Sequence, residues 1–463
     1  MKKILSIIAL GCTISASAQT YTLEQLKDSA LRNNIAIRSA QQAIDASQLQ
    51  RKEAFTKYFP TVSGTGLWFN ASRSMAKMNM NPSEMIPSEL GAVLAQSLPV
   101  EALATLANPV SFSMMKHGTV AGISAIQPVF AGGQIVNGNK LAKIGEEASQ
   151  LQLQLSAKEV EKTTEQYYWQ IVCLQEKLKT LDAAEKLLAD IHKDVEVAVR
   201  AGVAMNNDLL QVQLRKNDIE SSRMKLNNGI SIVKLLLAQY CGLSPITPSL
   251  NPSQGREGSV YSFDIEMPDI SRKDDSLPTI FKEGESQVYL LPEYQLLTKQ
   301  VEAASLQRKM AFGQQLPSVA VGAGYNYHHI LDTGRSFGLV FATVSIPISD
   351  WWSGSHAVKR KDIEYQRALD ERQDKTELLQ IRIQKAWNDV AEAQQQLLIT
   401  QRSIEQATEN LRLSKNHYQA GISKMSDLLE AQMLYQQACD KHTDAYADYQ
   451  NKLLDYRQAT GMP

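Results

Sequence analysis

The chain contains its own sequence twice. Val199 to Leu214 reads VRAGVAMNNDLLQVQL, and Tyr418 to Leu434 reads YQAGISKMSDLLEAQML. Gly202 aligns with Gly421, Asp208 with Asp427, Leu209 with Leu428, Leu210 with Leu429 and Gln213 with Gln432, each pair 219 positions apart. The same ungapped step links Pro128 to Pro347, Tyr168 to Trp387 and Gly242 to Gly461. A tandem duplication limits the folds open to a chain, because each copy has to form the same supersecondary unit. Here that unit reads as a long polar helix, a tight turn at Gly and a second helix running back.

The pieces before each long helix also repeat. A helix is expected over 22–57, capped by Thr22, with Glu24 in its first turn and Pro60 beyond its end. Its counterpart runs from about Pro292 to Gln314, ahead of Pro317. Each helix leads into a segment of strand character, Thr61 to Asn70 and SVAVGAGYNY after Pro317. Returning strands follow, TVAGISAIQ before Pro128 and SFGLVFATVSI before Pro347. These are about the ~9–11 residues that a tilted membrane strand needs. Trp68, Phe69, Tyr325, Tyr327, Phe337 and Phe341 suit an interfacial girdle. The same segments also fit soluble hairpins, since each strand's signal is weak. The loop 71–118 is Met- and Pro-rich, with a short apolar helix expected over 88–106, and far exceeds its counterpart, His328 to Arg335. Loops of that length are functional or disordered. The adjacent His328 and His329 are too few to indicate a metal site.

Glu146 to Ala201 and Ser355 to Ala420 contain neither Gly nor Pro. At ~1.5 Å per residue, such helices extend about 80–100 Å, which calls for coiled-coil packing. Ile383, Val390, Leu397, Ile404, Leu411 and Tyr418 recur every seven residues, with Ala386, Ala393, Thr400, Ala407 and Ser414 three positions after the first five. Leu428, Tyr435, His442, Tyr449 and Tyr456 continue the step after the turn. A seam of large and small residues lets helices approach closely, and His442 reads as part of it. Leu174, Leu181, Leu188 and Val195 give the first copy the same step. Its return helix, about Asn207 to Cys241, is expected to bend at Gly229.

Lys2 and Lys3, the apolar run Ile4 to Leu10, and Ala16-Ser17-Ala18 form a secretory leader, 1–18, with Gln19 first in the mature chain. Lipid attachment at Cys12 is the alternative. Residues 19–242 form the first repeat, 243–290 a connector with one short strand over 259–265, and 291–463 the second repeat. The net charge of −1 carries no basic footprint for nucleic acid. Cys173, Cys241 and Cys439 form neither a disulfide framework nor a CxxC pair and read as small core residues. No nucleophile elbow, HExxH or phosphate loop occurs, which argues against an enzyme, and no cofactor or metal is expected.

No segment after the leader has the ~18 apolar residues of a membrane helix. An exported chain of this kind is soluble or crosses lipid as a closed barrel. Four candidate strands fall short of the roughly eight that a barrel needs. In the membrane reading, several copies pool their strands, and the helices continue as a tube with the turns at its far end.

The order of helix, strand pair, long helix, G-x5-D-L-L turn and helix, all duplicated, resembles the TolC family of outer-membrane efflux and secretion channels. The resemblance implies a mostly α fold with an α-barrel tunnel in the periplasm. Four strands per chain would enter a trimeric twelve-stranded β-barrel in outer-membrane lipid. It implies a passive exit duct that engages a periplasmic adaptor protein and an inner-membrane pump. A type I protein-secretion duct is the alternative within that class, and a periplasmic coiled-coil scaffold the alternative outside it. The resemblance places Tyr418, Asp427 and Glu430 at a constricted entrance, with Asp208 matching in the first copy. Asp427 and Glu430 share a helix face, and rings of carboxylates set ion selectivity. Asp208 and Asp427 equally suit a first helical turn, where a carboxylate favours the dipole. Gly202, Val203, Gly421 and Ile422 would form the adaptor-docking tips. Ser423 stands where the family's entrance carries an Arg, so a closing network built on that Arg is not expected.

Overall fold

The computed structural model describes residues 19–73, 76–81, 110–114, 117–243, 263–268, 285–329, 334–348 and 350–461. The leader with Cys12, the expected helix over 88–106, most of the Met-rich loop and most of the connector lie outside the described residues. The element order is β1 (Gln19–Tyr21), α1 (Leu23–Asn33), α2 (Ile35–Thr56), β2 (Thr61–Asn70), β3 (Ala76–Met80), β4 (Val110–Met114), β5 (His117–Ala131), α3 (Gln134–Arg200), α4 (Asn206–Tyr240), β6 (Phe263–Ile265), a 3-10 turn (Glu285–Leu290), α5 (Pro292–Gly313), β7 (Ser318–His329), β8 (Gly334–Ser345), α6 (Asp350–Gln419) and α7 (Met425–Thr460). The chain divides into two compact units and passes between them within α2, α3, α5 and α6.

The unit made of Gln48–Gly145 and Glu302–Arg367 holds an antiparallel sheet in the order β2-β5-β7-β8. Each repeat contributes one hairpin, and β5 pairs with β7 to join them, Thr119 opposite His329 and Ile126 opposite Gly322. Among the described residues, the outer strands β2 and β8 are each paired on one side only. β5 does not stop before Pro128 as expected; it continues to Ala131. The register shifts between Pro128 and Phe130, and a bulge is where a strand tolerates a residue without an N–H. Within the region expected to be an open loop, β3 and β4 form a second hairpin, Ala76 opposite Met114.

After β5 the chain turns at Gly132, φ 58°, and Gly133, φ 73°. A Cβ on Gly132 would lie 2.0 Å from the Gly313 carbonyl oxygen, and a Cβ on Gly313 would lie 2.0 Å from that of Gly132. Two backbones from different repeats cross there with no room for a side chain.

The other unit holds the helical cores. The single helix expected over 22–57 is two helices, broken at Asn34, which is extended with ψ 136°. Its Nδ2 donates to the Tyr240 carbonyl at 3.0 Å, and its Oδ1 accepts from the Ala36 N–H at 2.8 Å. One buried side chain therefore ties the end of α1 to α4 and caps α2. Thr22 caps α1 as expected, reciprocally with Gln25. β1 pairs in parallel with β6, Thr20 opposite Asp264. Leu26, Tyr168, Ile171, Leu237 and Phe263 fill the core beside this pair. Burial pushes the Cys173 and Cys241 thiols up to about 12, as inert packed residues.

α3 and α6, at 67 and 70 residues, begin earlier than their Gly-free stretches. Gly138 and Gly145 lie inside α3, each at a cost of ~1 kcal/mol that packing overrides. Ile383, Ala386, Val390, Ala393, Leu397 and Thr400 are all buried, as are Leu428, Ala431, Ala438, Ala445, Tyr449, Tyr456 and Ala459. His442 is half-buried on this seam, its Nδ1 3.2 Å from Thr400 Oγ1. α4 is unbroken at Gly229, which faces Leu174 of α3.

The Gly132–Gly313 crossing predicts that Gly132→Ala and Gly313→Ala each displace backbone. Each should lower the thermal unfolding midpoint in detergent and reduce the folded yield. Gly66→Ala, at a site with open space, should leave both near wild type.

Candidate functional site

The two copied turns are built alike. Gly202 and Gly421 adopt φ 76° and 71°. The N–H of Gly202 donates to the Val199 carbonyl at 3.0 Å and that of Val203 to Ala198 at 2.9 Å. Gly421 donates to Tyr418 at 3.0 Å and Ile422 to His417 at 2.9 Å. These paired bonds close a helix with a left-handed residue, which Gly adopts without a Cβ penalty. The next helix starts four residues after each Gly. The Asp208 carboxylate accepts from the Met205 N–H at 3.0 Å, and that of Asp427 from the Lys424 N–H at 3.2 Å. Asp427 also accepts from Ser426 Oγ at 3.1 Å.

The turns meet in one cleft of about 940 Å³, lined by Asp194, Met205 and Asp208 from the first repeat and by Tyr418, Ser423 and Met425 from the second, among others. Tyr418 is half-buried, and burial raises its hydroxyl above the usual tyrosine value, with Asp208 and Asp194 adding to the rise. Beneath lie Leu188, Ile191, Val195, Val212, Met425 and Leu428. Of the four expected entrance residues, Tyr418 and Asp208 come together across the repeats. Asp427 is occupied by its cap, and Glu430 is exposed on α7. Val203 and Ile422 project into solvent, 81% and 75% exposed. The Ser423 hydroxyl is buried with no hydrogen-bond partner among the described residues.

Sequence reasoning missed the contact that joins α4 to α7. Arg215 Nε donates to Gln432 Oε1 at 3.2 Å and its Nη2 to Gln436 Oε1 at 3.1 Å. Gln432 is 1% exposed. Its place in the repeat was visible, but an Arg more than 200 residues away gave no signal.

The sheet has two unlike faces. The register places Val62, Trp68, Ala121, Ile123, Ala125, Val321, Ala323, Tyr325, Tyr327, Val340, Ala342 and Val344 on one face. Thr61, Ser63, Thr65, Ser124, Asn326, His328, Arg335, Thr343 and Ser345 lie on the other, which is mixed rather than wholly polar, since Leu67, Val120, Ile126 and Leu339 lie there too. The six aromatics expected to form one girdle divide between them. Trp68, Tyr325 and Tyr327 share the apolar face, and Phe69, Phe337 and Phe341 the polar one. The Phe69 and Phe341 rings lie over Gly118 and Gly322. Trp68 is 70% exposed, and β2 and β8 are exposed along almost their whole length.

Gly421 has open space around it, so only its backbone conformation resists substitution. Gly421→Val should cost about 1–3 kcal/mol, and Gly421→Asn less, since Asn tolerates this conformation. Thermal unfolding in detergent measures both; equal costs would show that the left-handed turn is not what selects Gly.

No curated protein matches the chain. Residues 294–462 match the outer membrane efflux protein family. Among solved structures, the chain is similar to the outer membrane protein VceC of Vibrio cholerae, with TM-score 0.71 and 15% identity over 95% of this chain and 96% of that one. It is similar to the CmeC outer membrane channel of Campylobacter jejuni, with TM-score 0.72 and 15% identity over 95% and 85%. It is likewise similar to the MtrE outer membrane channel of Neisseria gonorrhoeae, with TM-score 0.68 and 15% identity over 95% and 89%. Residues 294–462 thus match the outer membrane efflux protein family, and the chain as a whole shares the fold of these solved structures.

Proposed function

We propose that the chain is the outer-membrane exit duct of a tripartite efflux system, a homotrimer through which small molecules leave passively. The observation that carries this reading is the sheet: two edges without partners among the described residues, one face mostly apolar, and a second that holds most of the polar side chains although Leu67, Leu339 and three Phe lie on it. Unpaired edges are not tolerated in hydrocarbon, so β8 of one copy pairs with β2 of the next until the sheet closes. The apolar face then meets lipid and the polar face lines the lumen. From Val319 to Tyr327 the strand runs roughly 26 Å at ~3.3 Å per residue, or about 20 Å across the bilayer at a tilt near 40°. That approaches the ~25 Å apolar band of barrels, with Trp68, Tyr325 and Tyr327 toward one of its edges.

At the other site, the exposed Val203 and Ile422 give the turns apolar tips for an adaptor protein, which an inner-membrane pump would engage in turn. Asp427 and Glu430, repeated in three chains, supply negative charge near the entrance, and Tyr418 with Asp208 links the two repeats beside it. A duct of this kind performs no reaction: its walls exclude, admit and orient.

Two outcomes test the reading. Mass measurement in detergent should find three chains per particle; a stable, water-soluble monomer would refute it. Asp427→Asn with Glu430→Gln should reduce cation selectivity in planar bilayers, with Asn still able to accept the cap hydrogen bond. Unchanged reversal potentials in a salt gradient would remove the two carboxylates from the entrance.

A further inference from the structure

α7 carries Gln432, Gln436, Asp440 and Asp444 at four-residue spacing, which places them in one row along the helix. The row meets the first repeat. Arg215 of α4 holds the two amides, and Lys177 of α3 pairs with Asp444 Oδ1 at 2.6 Å. The Cys173 thiol donates to the same oxygen at 3.3 Å. Asp440 stands between these clasps, with one carboxylate oxygen buried and no hydrogen-bond partner for it among the described residues. Lys177 and Asp444 are the charged groups that act on it. Cys173 on α3 and Cys439 and Tyr435 on α7 are raised by burial and stay neutral. With both carboxylates ionised, one lysine faces two negative charges, and the seam keeps one uncompensated charge.

We propose that Asp440 is a proton-set latch between the repeats: when protonated it secures α7 against α3, and when ionised it loosens that seam. A protonated carboxyl gains an O–H donor for the oxygen that now lacks a partner, and Asp444, one turn on, is an acceptor of the right spacing. The surplus charge disappears in the same step. Burial holds the Asp440 carboxyl above the usual carboxylate range; Lys177 pulls it down and Asp444 pushes it up. The folded chain thus binds this proton more tightly than the unfolded chain. The seam strengthens as pH falls through the folded value, gains fully below the ordinary Asp value, and weakens as pH rises. His442 works in the opposite sense. Burial lowers it, and it faces Thr400 of α6 within its own hairpin.

Hydrogen exchange of the full chain in detergent tests the latch, with rates corrected for the intrinsic effect of pH. In wild type, amides around 436–444 should be protected several-fold more at a pH near the ordinary Asp value, about 4, than at pH 7.5. Asp440→Asn should remove that contrast and show the protected level at both values, with His442 intact in both proteins. Asp444→Asn, which leaves one carboxylate opposite Lys177, should also remove it and serves if the first variant fails to fold. Persistence of the wild-type contrast in either folded variant, or no contrast in wild type, would overturn the proposal.

Discussion

A strand paired on one side leaves half of its backbone donors and acceptors to find partners elsewhere, and both edges of this sheet are in that position. Water can satisfy those groups; hydrocarbon cannot. The alternation of side chains decides which environment the strands suit, and here one face is mostly apolar while the other mixes serines, threonines and asparagine with Leu67, Leu339 and three phenylalanines. On the proposed reading, such a sheet, unpaired at both edges among the described residues, is part of a larger closed object. The duplicated hairpins and the outward tips gain a purpose only once that object exists.

The helical unit uses two kinds of contact. Within the second hairpin, α6 and α7 meet through buried Val, Leu, Ala and Tyr at heptad spacing. Between the repeats, much of the contact is polar, and it includes buried groups without hydrogen-bond partners among the described residues, Gln432 Nε2 and Asp440 Oδ1. Such groups cost about 1–3 kcal/mol each. The hairpin is therefore more firmly joined to itself than to its neighbour along this row, although Leu188, Met425 and Leu428 bind the repeats near the turns.

The parts legible in the sequence are those with short-range causes. The turns at Gly202 and Gly421, the Thr22 cap and the seven-residue seam each follow from residues within a few positions of one another. The parts that were missed depend on partners far along the chain. Asn34 breaks a helix because Tyr240 offers it a carbonyl. β5 runs through Pro128 because β7 lies alongside and a bulge absorbs the proline. The six aromatics looked like one girdle, yet strand residues one position apart face opposite ways. Alternation alone sets Trp68 and Phe69 apart; the register was needed to show that Trp68 shares its face with Tyr325 and Phe69 its face with Phe337. Arg215 belongs to the same class, since its two amide acceptors lie in the other repeat.

The paired bonds that close each helical hairpin span only five residues, from Ala198 to Val203 and from His417 to Ile422. Joining β5 to β7, by contrast, brings together residues from different copies, such as Thr119 and His329. Local closures form in microseconds or less, whereas distant strand pairing waits on the search of a long loop. The hairpin bends can thus be complete while the staves are still apart. On the proposed reading, a newly made chain travels as preformed rods with its sticky strands idle, and commits those strands only on meeting its siblings at the bilayer.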